Sequence, residues 1–202
     1  VPHDLIRSWN GEVQNPTLGL RREAIGADLL VLQFPSVDRD PSRHPDVGDL
    51  ILTVGRPVLV LGPSGSSLKC SKIVVAWKDV REARRAVADA LPFLKDAKAV
   101  LAIAVSPRGD ESVQEYVSDK AVEGFLRRHD VDATVNRMVA PDIASGEFLL
   151  SRAADFGADF LAECIHATDT YPVETAGHFV GVVVKFSTCV KYRHDDLEGR
   201  FL

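Results

Sequence analysis

The chain has 202 residues, an apolar share of 46% and a formal net charge of −5. That length allows one large domain or about two small ones, and that apolar share supports a packed core and excludes a disordered chain. The mildly acidic balance leaves no footprint for nucleic acid or an anionic membrane surface, and no apolar run reaches the ~18 residues of a membrane span.

The three cysteines are an odd number and make no disulfide framework, so a reducing cytoplasm is the expected setting. The opening VPHDLIRSWN has neither the apolar core of a signal peptide nor an initiator Met.

In chain order, Leu5 to Trp9 reads as a short strand and Asn10 to Thr17 as a turn-rich connection. Leu18, Leu20, Ala24 and Ile25 predict a helix stopped by Gly26 in the left-handed C′ position. Ala27 to Phe34 reads as a buried strand and the proline-rich Pro35 to Pro45 as a loop. A short helix is expected over Asp46 to Val54, with Asp46 near its start and Gly55 at its end. Arg56 to Leu61 is the next strand, and its Pro57 fits only a strand start or an edge. GPSGSS, at Gly62 to Ser67, has linker composition.

The stretch that organises the chain follows, from Lys72 to Ser106. Ile73 to Trp77 is a short apolar run, as a strand buried on both faces requires. From Val80 the period changes: Val80, Ala83, Ala86, Val87, Ala90, Leu91 and Leu94 share one helical face. Ala99 to Val105 is a second apolar run, which completes a right-handed βαβ unit. Asp110 to His129 predicts another helix, with Val113, Val117, Ala121 and Phe125 as its core face. Val131 to Val139 alternates like a strand with one exposed face. Phe148, Leu149, Ala153 and Phe156 predict a helix ended by Gly157, and Ala158 to Leu161 begins another strand. Beyond it only Phe179 to Phe186 has strand character.

Two segments repeat. LRREAIGADLL (Leu20–Leu30) and SRAADFGADFL (Ser151–Leu161) place Arg21 with Arg152, Gly26 with Gly157 and Leu30 with Leu161 at one constant offset. The same helix, glycine and strand order at both places favours duplication of an α/β module, although such junctions also arise independently.

The text from Lys72 to Leu161 resembles the second module of tandem universal stress proteins: KIVVAWKDVREARRAVADALPFLKDAKAVLAIAV, then APDI at Ala140 to Ile143, then LLSRAADFGADFL. The upstream GADLLVL and GRPVLVLGP are similar to the end of that family's first module. The resemblance implies an α/β fold, an open, mostly parallel sheet with helices on both faces and strand order 3-2-1-4-5. It divides the chain into the remnant of a first module (1–66), a main module (67–161) and an atypical tail (162–202). ATP-binding members carry a G-x2-G-x9-G segment followed by Ser or Thr after the fourth strand, where backbone amides meet phosphate. Here that place reads AECIHATDTYPVETAGHFVG, without the motif, and PSVDRDPSRHP in the first module also lacks it. The family's first strand commonly ends in an Asp that meets the sugar; here Lys78 stands there and Asp79 is one position late. A changed reading frame or a fusion after Leu161 would account for the tail, which an intact mass compared with the genomic frame tests.

Open α/β sheets bind ligands at the carboxyl ends of their strands, so the candidate nucleotide contacts are Ala76, Trp77, Lys78, Asp79, Val105 and Ser106. Asp79 also suits a helix cap, with Glu82 three residues on completing a capping box. Lys78 is equally at home as a solvated strand-end lysine. GPSGSS lacks the Lys-Ser/Thr and following helix of a P-loop. Cys164, His166, His178, Cys189 and His194 fit no closed zinc spacing, and Cys70 suits a small rim residue. Arg81, Arg84 and Arg85 read as the wet face of their helix. The expectation is a non-catalytic, cytoplasmic stress-response module with ATP as the ligand that the resemblance implies. The alternatives are a nucleotide hydrolase cutting the α–β bond, for which the WKDV turn lacks a phosphate-cradling glycine, and a dimerisation module pairing through edge strands Arg56–Leu61 and Phe179–Phe186.

Overall fold

The computed structural model describes residues 15–33, 43–61, 70–106, 113–139, 145–164 and 181–182. Leu5–Trp9, GPSGSS, the APDI loop, His166, His178, Cys189 and His194 lie outside them. Helix α1 (Pro16–Glu23) is started by Asn15, whose side-chain oxygen accepts from the Leu18 amide at 3.1 Å, with Pro16 in the first turn. It runs into a 3₁₀ turn at Ala24–Gly26. Gly26 does not take the expected left-handed conformation. The turn closes with Ala27 N–H on the Ala24 carbonyl at 3.3 Å, and the chain leaves it already extended at Ala27.

β1 (Leu30–Gln33) is followed by α2 (Val47–Thr53), capped as expected by the Asp46 carboxylate on the Asp49 amide at 2.9 Å. Gly55, at φ +64°, ends that segment in the conformation glycine tolerates best. β2 (Val58–Leu61) starts one residue after Pro57. β3 (Lys72–Trp77), α3 (Arg81–Leu94) and β4 (Ala99–Ser106) form the expected βαβ unit. α4 (Val113–Arg128), β5 (Ala133–Val139), α5 (Ser145–Phe156), β6 (Phe160–Ala162) and the two-residue β7 (Gly181–Val182) complete the order.

Among the described residues one sheet holds all seven strands, in the order β1-β2-β7-β6-β3-β4-β5. Every pair is parallel except β2 with β7. From β5 back through β4, β3 and β6 to β7, the second half has the expected order 3-2-1-4-5. The two predicted edge strands are not edges. β2 pairs with β1 on one side and β7 on the other, and β7 lies between β6 and β2. The two strands satisfy each other within the chain, which leaves β1 and β5 as the outer strands among the described residues.

The sheet is covered on both faces. Ala83, Ala86, Val87, Ala90 and Leu94 of α3 and Val122 and Leu126 of α4 pack on one face, with Ile73, Val75, Trp77 and Phe160. Leu149, Leu150 and Ala153 of α5 pack on the other, with Val74, Leu101, Ile103 and Leu161. β1, β2 and α2 form a smaller cluster of Leu30, Leu32, Leu50, Ile51 and Val58. The inner face of α4 is one residue out of phase with expectation. Ser118, Val122 and Leu126 are buried, while Val117 and Ala121 are exposed. Apolar residues sit in adjacent pairs at 121–122 and 125–126, so periodicity fits either stripe; Ser118 fixes the choice by accepting a hydrogen bond from buried Trp77. Among the described residues no helix is long and apolar enough to cross a membrane.

Candidate functional site

Strand order reverses between β3 and β6. The helices after β3 and β4 lie on one face and the helix before β6 lies on the opposite face. At such a switch the two connections leave in opposite directions and open a crevice at the carboxyl ends of the strands. Three chain segments leave the sheet at that end beside the switch: Ala76–Val80, which closes β3 and leads to α3, Val105–Ser106 at the end of β4, and Glu163–Cys164 after β6.

Strand alternation divides the predicted residues. Ala76 and Val105 are half-buried on the α5 side. Trp77 points to the opposite face, is buried, and donates its indole N–H to Ser118 Oγ at 3.1 Å. Its ring is therefore a wall of the core and offers no face to a ligand. Lys78 is exposed, and its ammonium group pairs with none of the described residues. Asp79 is exposed and takes the Arg84 guanidinium on its Oδ1, from Nε at 3.1 Å and also from Nη2. The expected capping box is not formed: Val80 is the N-cap of α3 and makes no side-chain hydrogen bond. Arg84, one turn along, offers Asp79 a charge-assisted partner, and a carboxylate held there is not over the first-turn amides. Glu82 is buried and accepts from Arg81 Nη2 at 3.2 Å.

Ser106 is fully buried, and its Oγ accepts from Arg137 Nη1. Arg137 also makes a two-pronged pair with Asp119, Nε to Oδ2 at 2.8 Å and Nη2 to Oδ1 at 2.7 Å. These bonds tie the ends of β4 and β5 to α4. A bidentate pair of this kind fixes geometry as well as charge. Ser118, Asp119 and Arg137 were not singled out by sequence. A signal was available for Arg137, which shares its strand face with Ala133 and Val135, both packed on the core. An arginine on an inward face needs a carboxylate nearby. Glu163, buried at the end of β6, was also missed. Alternation after Leu161 puts it on the same side as Ala76.

At the other end of the sheet, the Asp159 carboxylate accepts from the amides of Ser71 at 3.1 Å and Lys72 at 3.0 Å. Lys72 Nζ donates to the last α5 carbonyls, at Phe156 O, 3.2 Å away. Cys70 lies there too. Burial, reinforced by Asp159 and Asp96, pushes its thiol above the ordinary range, as befits an inert rim residue. Among the described residues no group of three or more His, Cys, Asp and Glu side chains is placed to hold a metal ion.

No family model matches the chain, and neither does any curated protein. Solved structures do. A universal stress protein from Archaeoglobus fulgidus DSM 4304 superposes with a TM-score of 0.56 at 15% identity, over 85% of this chain and 66% of that one. The fold is that of the universal stress proteins. A putative universal stress protein from Pseudomonas aeruginosa UCBPP-PA14 gives 0.51 at 16% identity, over 83% of this chain and 65% of its own. A protein of unknown function from Pseudomonas aeruginosa PAO1 gives 0.50 at 16% identity, with the same coverage. This chain thus spans just under two thirds of the length of these proteins. The universal stress protein fold agrees with the sheet order that the Lys72–Leu161 resemblance implies. The crevice above is the switch point of that fold.

Proposed function

We propose that the chain is a cytoplasmic, non-catalytic stress-response module of the universal stress type, which binds an adenine nucleotide in the crevice between β3 and β6. The observation that carries this is the reversal of strand order at β3 and β6, with α3 and α5 on opposite faces. Ala76 keeps the floor of the crevice shallow enough for a flat base, with the Val105 backbone beside it. Exposed Lys78 supplies a positive charge at the lip for phosphate. The Arg137–Asp119 pair holds Ser106 and so fixes the end of β4 against which the base lies. Trp77 contributes through the core and does not touch the ligand.

The glycine segment that cradles phosphate in ATP-binding members is replaced here by AECIHATD. Phosphate is therefore held mainly by Lys78 and the nucleotide mainly by its base and sugar. Affinity should depend less on phosphate number than in a glycine-loop site. The hydrolase alternative requires a close backbone approach to phosphate at the β3 turn, where the sequence is Lys78-Asp79-Val80. The test is to denature the purified chain, identify released ATP, ADP or AMP by mass spectrometry, and then incubate the emptied chain with ATP. Bound nucleotide without conversion is the expected result. Conversion of ATP to AMP would replace the binding-module reading with the hydrolase.

A further inference from the structure

Phe160, Ala162 and Cys164 all pack on the α3 face, so strand alternation continues past the end of β6 as far as Cys164. Glu163 therefore turns to the α5 face, as Leu161 and Ala76 do. The last registered pair of β6 with β3 is Ala162 with Val75, which brings Glu163 beside Ala76. Glu163 is 2% exposed. Its counterpart in the repeat, at the offset that joins Leu30 to Leu161, is Leu32, a core residue 5% exposed. The fold asks for no more than an apolar side chain at this place, and burying a carboxylate there costs stability. Other described carboxylates near the carboxyl ends of the strands are engaged elsewhere. Asp79 is exposed and held by Arg84, while Glu82 and Asp119 belong to α3 and α4 on the opposite face and take Arg81 and Arg137.

We propose that Glu163 recognises the ribose of the bound nucleotide by accepting hydrogen bonds from its 2′ and 3′ hydroxyls, an inference that rests on the nucleotide reading of the crevice given above. With the base over Ala76 and against Val105 on the β4 side, the sugar leads off on the β6 side, where Glu163 stands. A vicinal diol presents two O–H donors that one carboxylate accepts together, as acidic residues do for ribose in other open α/β sheets. A carboxylate has about four lone-pair sites, so a contact within the chain leaves acceptors for the diol. The same negative charge repels phosphate and directs it outward to Lys78 at the lip. Glu163 thus makes the site select ribonucleotides over nucleotides that lack these hydroxyls.

The test is calorimetric titration of the nucleotide-free full chain with ATP and with 2′,3′-dideoxy-ATP, for the parent, E163L and E163Q. E163L copies the residue at the matching place of the first half. The parent should bind ATP at least about tenfold more tightly than the dideoxy nucleotide. E163L should bind the two equally and melt no lower than the parent. E163Q, which keeps the shape but not the charge, should show a smaller preference than the parent. Equal affinity of the parent for the two nucleotides overturns the inference and leaves the nucleotide reading standing. An undiminished preference in both variants also overturns it, because another group then reads the sugar. Binding of neither nucleotide by the folded parent removes the nucleotide reading, and the sugar contact with it.

Discussion

Asp28 and Asp159 occupy the same place in the repeat, and substituting each by alanine should have very different costs. Asp159 accepts two backbone N–H groups, one part-buried at 3.1 Å and one more exposed at 3.0 Å. Hydrogen bonds to a charged group contribute about 1.5–3 kcal/mol each, and solvent reduces the exposed one, so D159A should lose about 2–4 kcal/mol. For a chain of this size that lowers the melting temperature by roughly 5–15 °C. Asp28 pairs with none of the described residues, so D28A belongs with ordinary surface substitutions and should stay within about 0.5 kcal/mol. Urea unfolding of both variants, followed by circular dichroism, measures the difference directly. Equal losses would refute it, and so would a D159A variant as stable as the parent.

Three further outcomes follow from the side-chain environments. Burial raises the Asp89 carboxyl above its ordinary value, with Arg85 opposing. Its charged form is thus penalised in the fold at any pH above the ordinary carboxylate range, and the penalty vanishes below it. D89N should therefore raise the urea midpoint at pH 7 and leave it unchanged near pH 3. S118A leaves the buried Trp77 N–H without its partner at a cost of about 1–3 kcal/mol, read as a lower midpoint in a W9F background where Trp77 reports alone. Cys70 is held above the usual thiol range, by burial first and then by Asp159 and Asp96. Its thiolate forms later than in the unfolded chain, so stability present below the unfolded thiol pKa is lost as pH rises through the folded value. In a C164S/C189S background, Cys70 should react with a disulfide reagent more slowly than free cysteine at pH 8, and D159N should speed it.

The second half of the fold was legible because its signals agree. Ile73–Trp77 and Ala99–Val105 are uniformly apolar, and the helix between them has one apolar stripe, so local pattern and sheet burial point the same way. The Asp46 cap and the end at Gly55 were equally plain. What failed depended on particular side-chain and strand contacts, most but not all of them distant in sequence. The phase of α4 is set by Trp77 reaching Ser118, and Asp79 is diverted from capping by Arg84. The pairing of β2 with β7 joins segments far apart in the chain, and each alone looks like an edge. Ala76, Lys78 and Val105 lie at or just after the carboxyl ends of β3 and β4, which the strand pattern already located. The Arg137–Asp119–Ser106 contact was hidden because its members lie on three different elements.

Titration of the nucleotide-free chain with ATP by calorimetry, beside an A76F variant, bears most directly on the crevice between β3 and β6. Stoichiometric binding to the parent is expected, with affinity at least about tenfold weaker in A76F, because the added ring fills the space of the base. Absence of binding by a folded parent, or equal affinity in A76F, would contradict binding at this crevice.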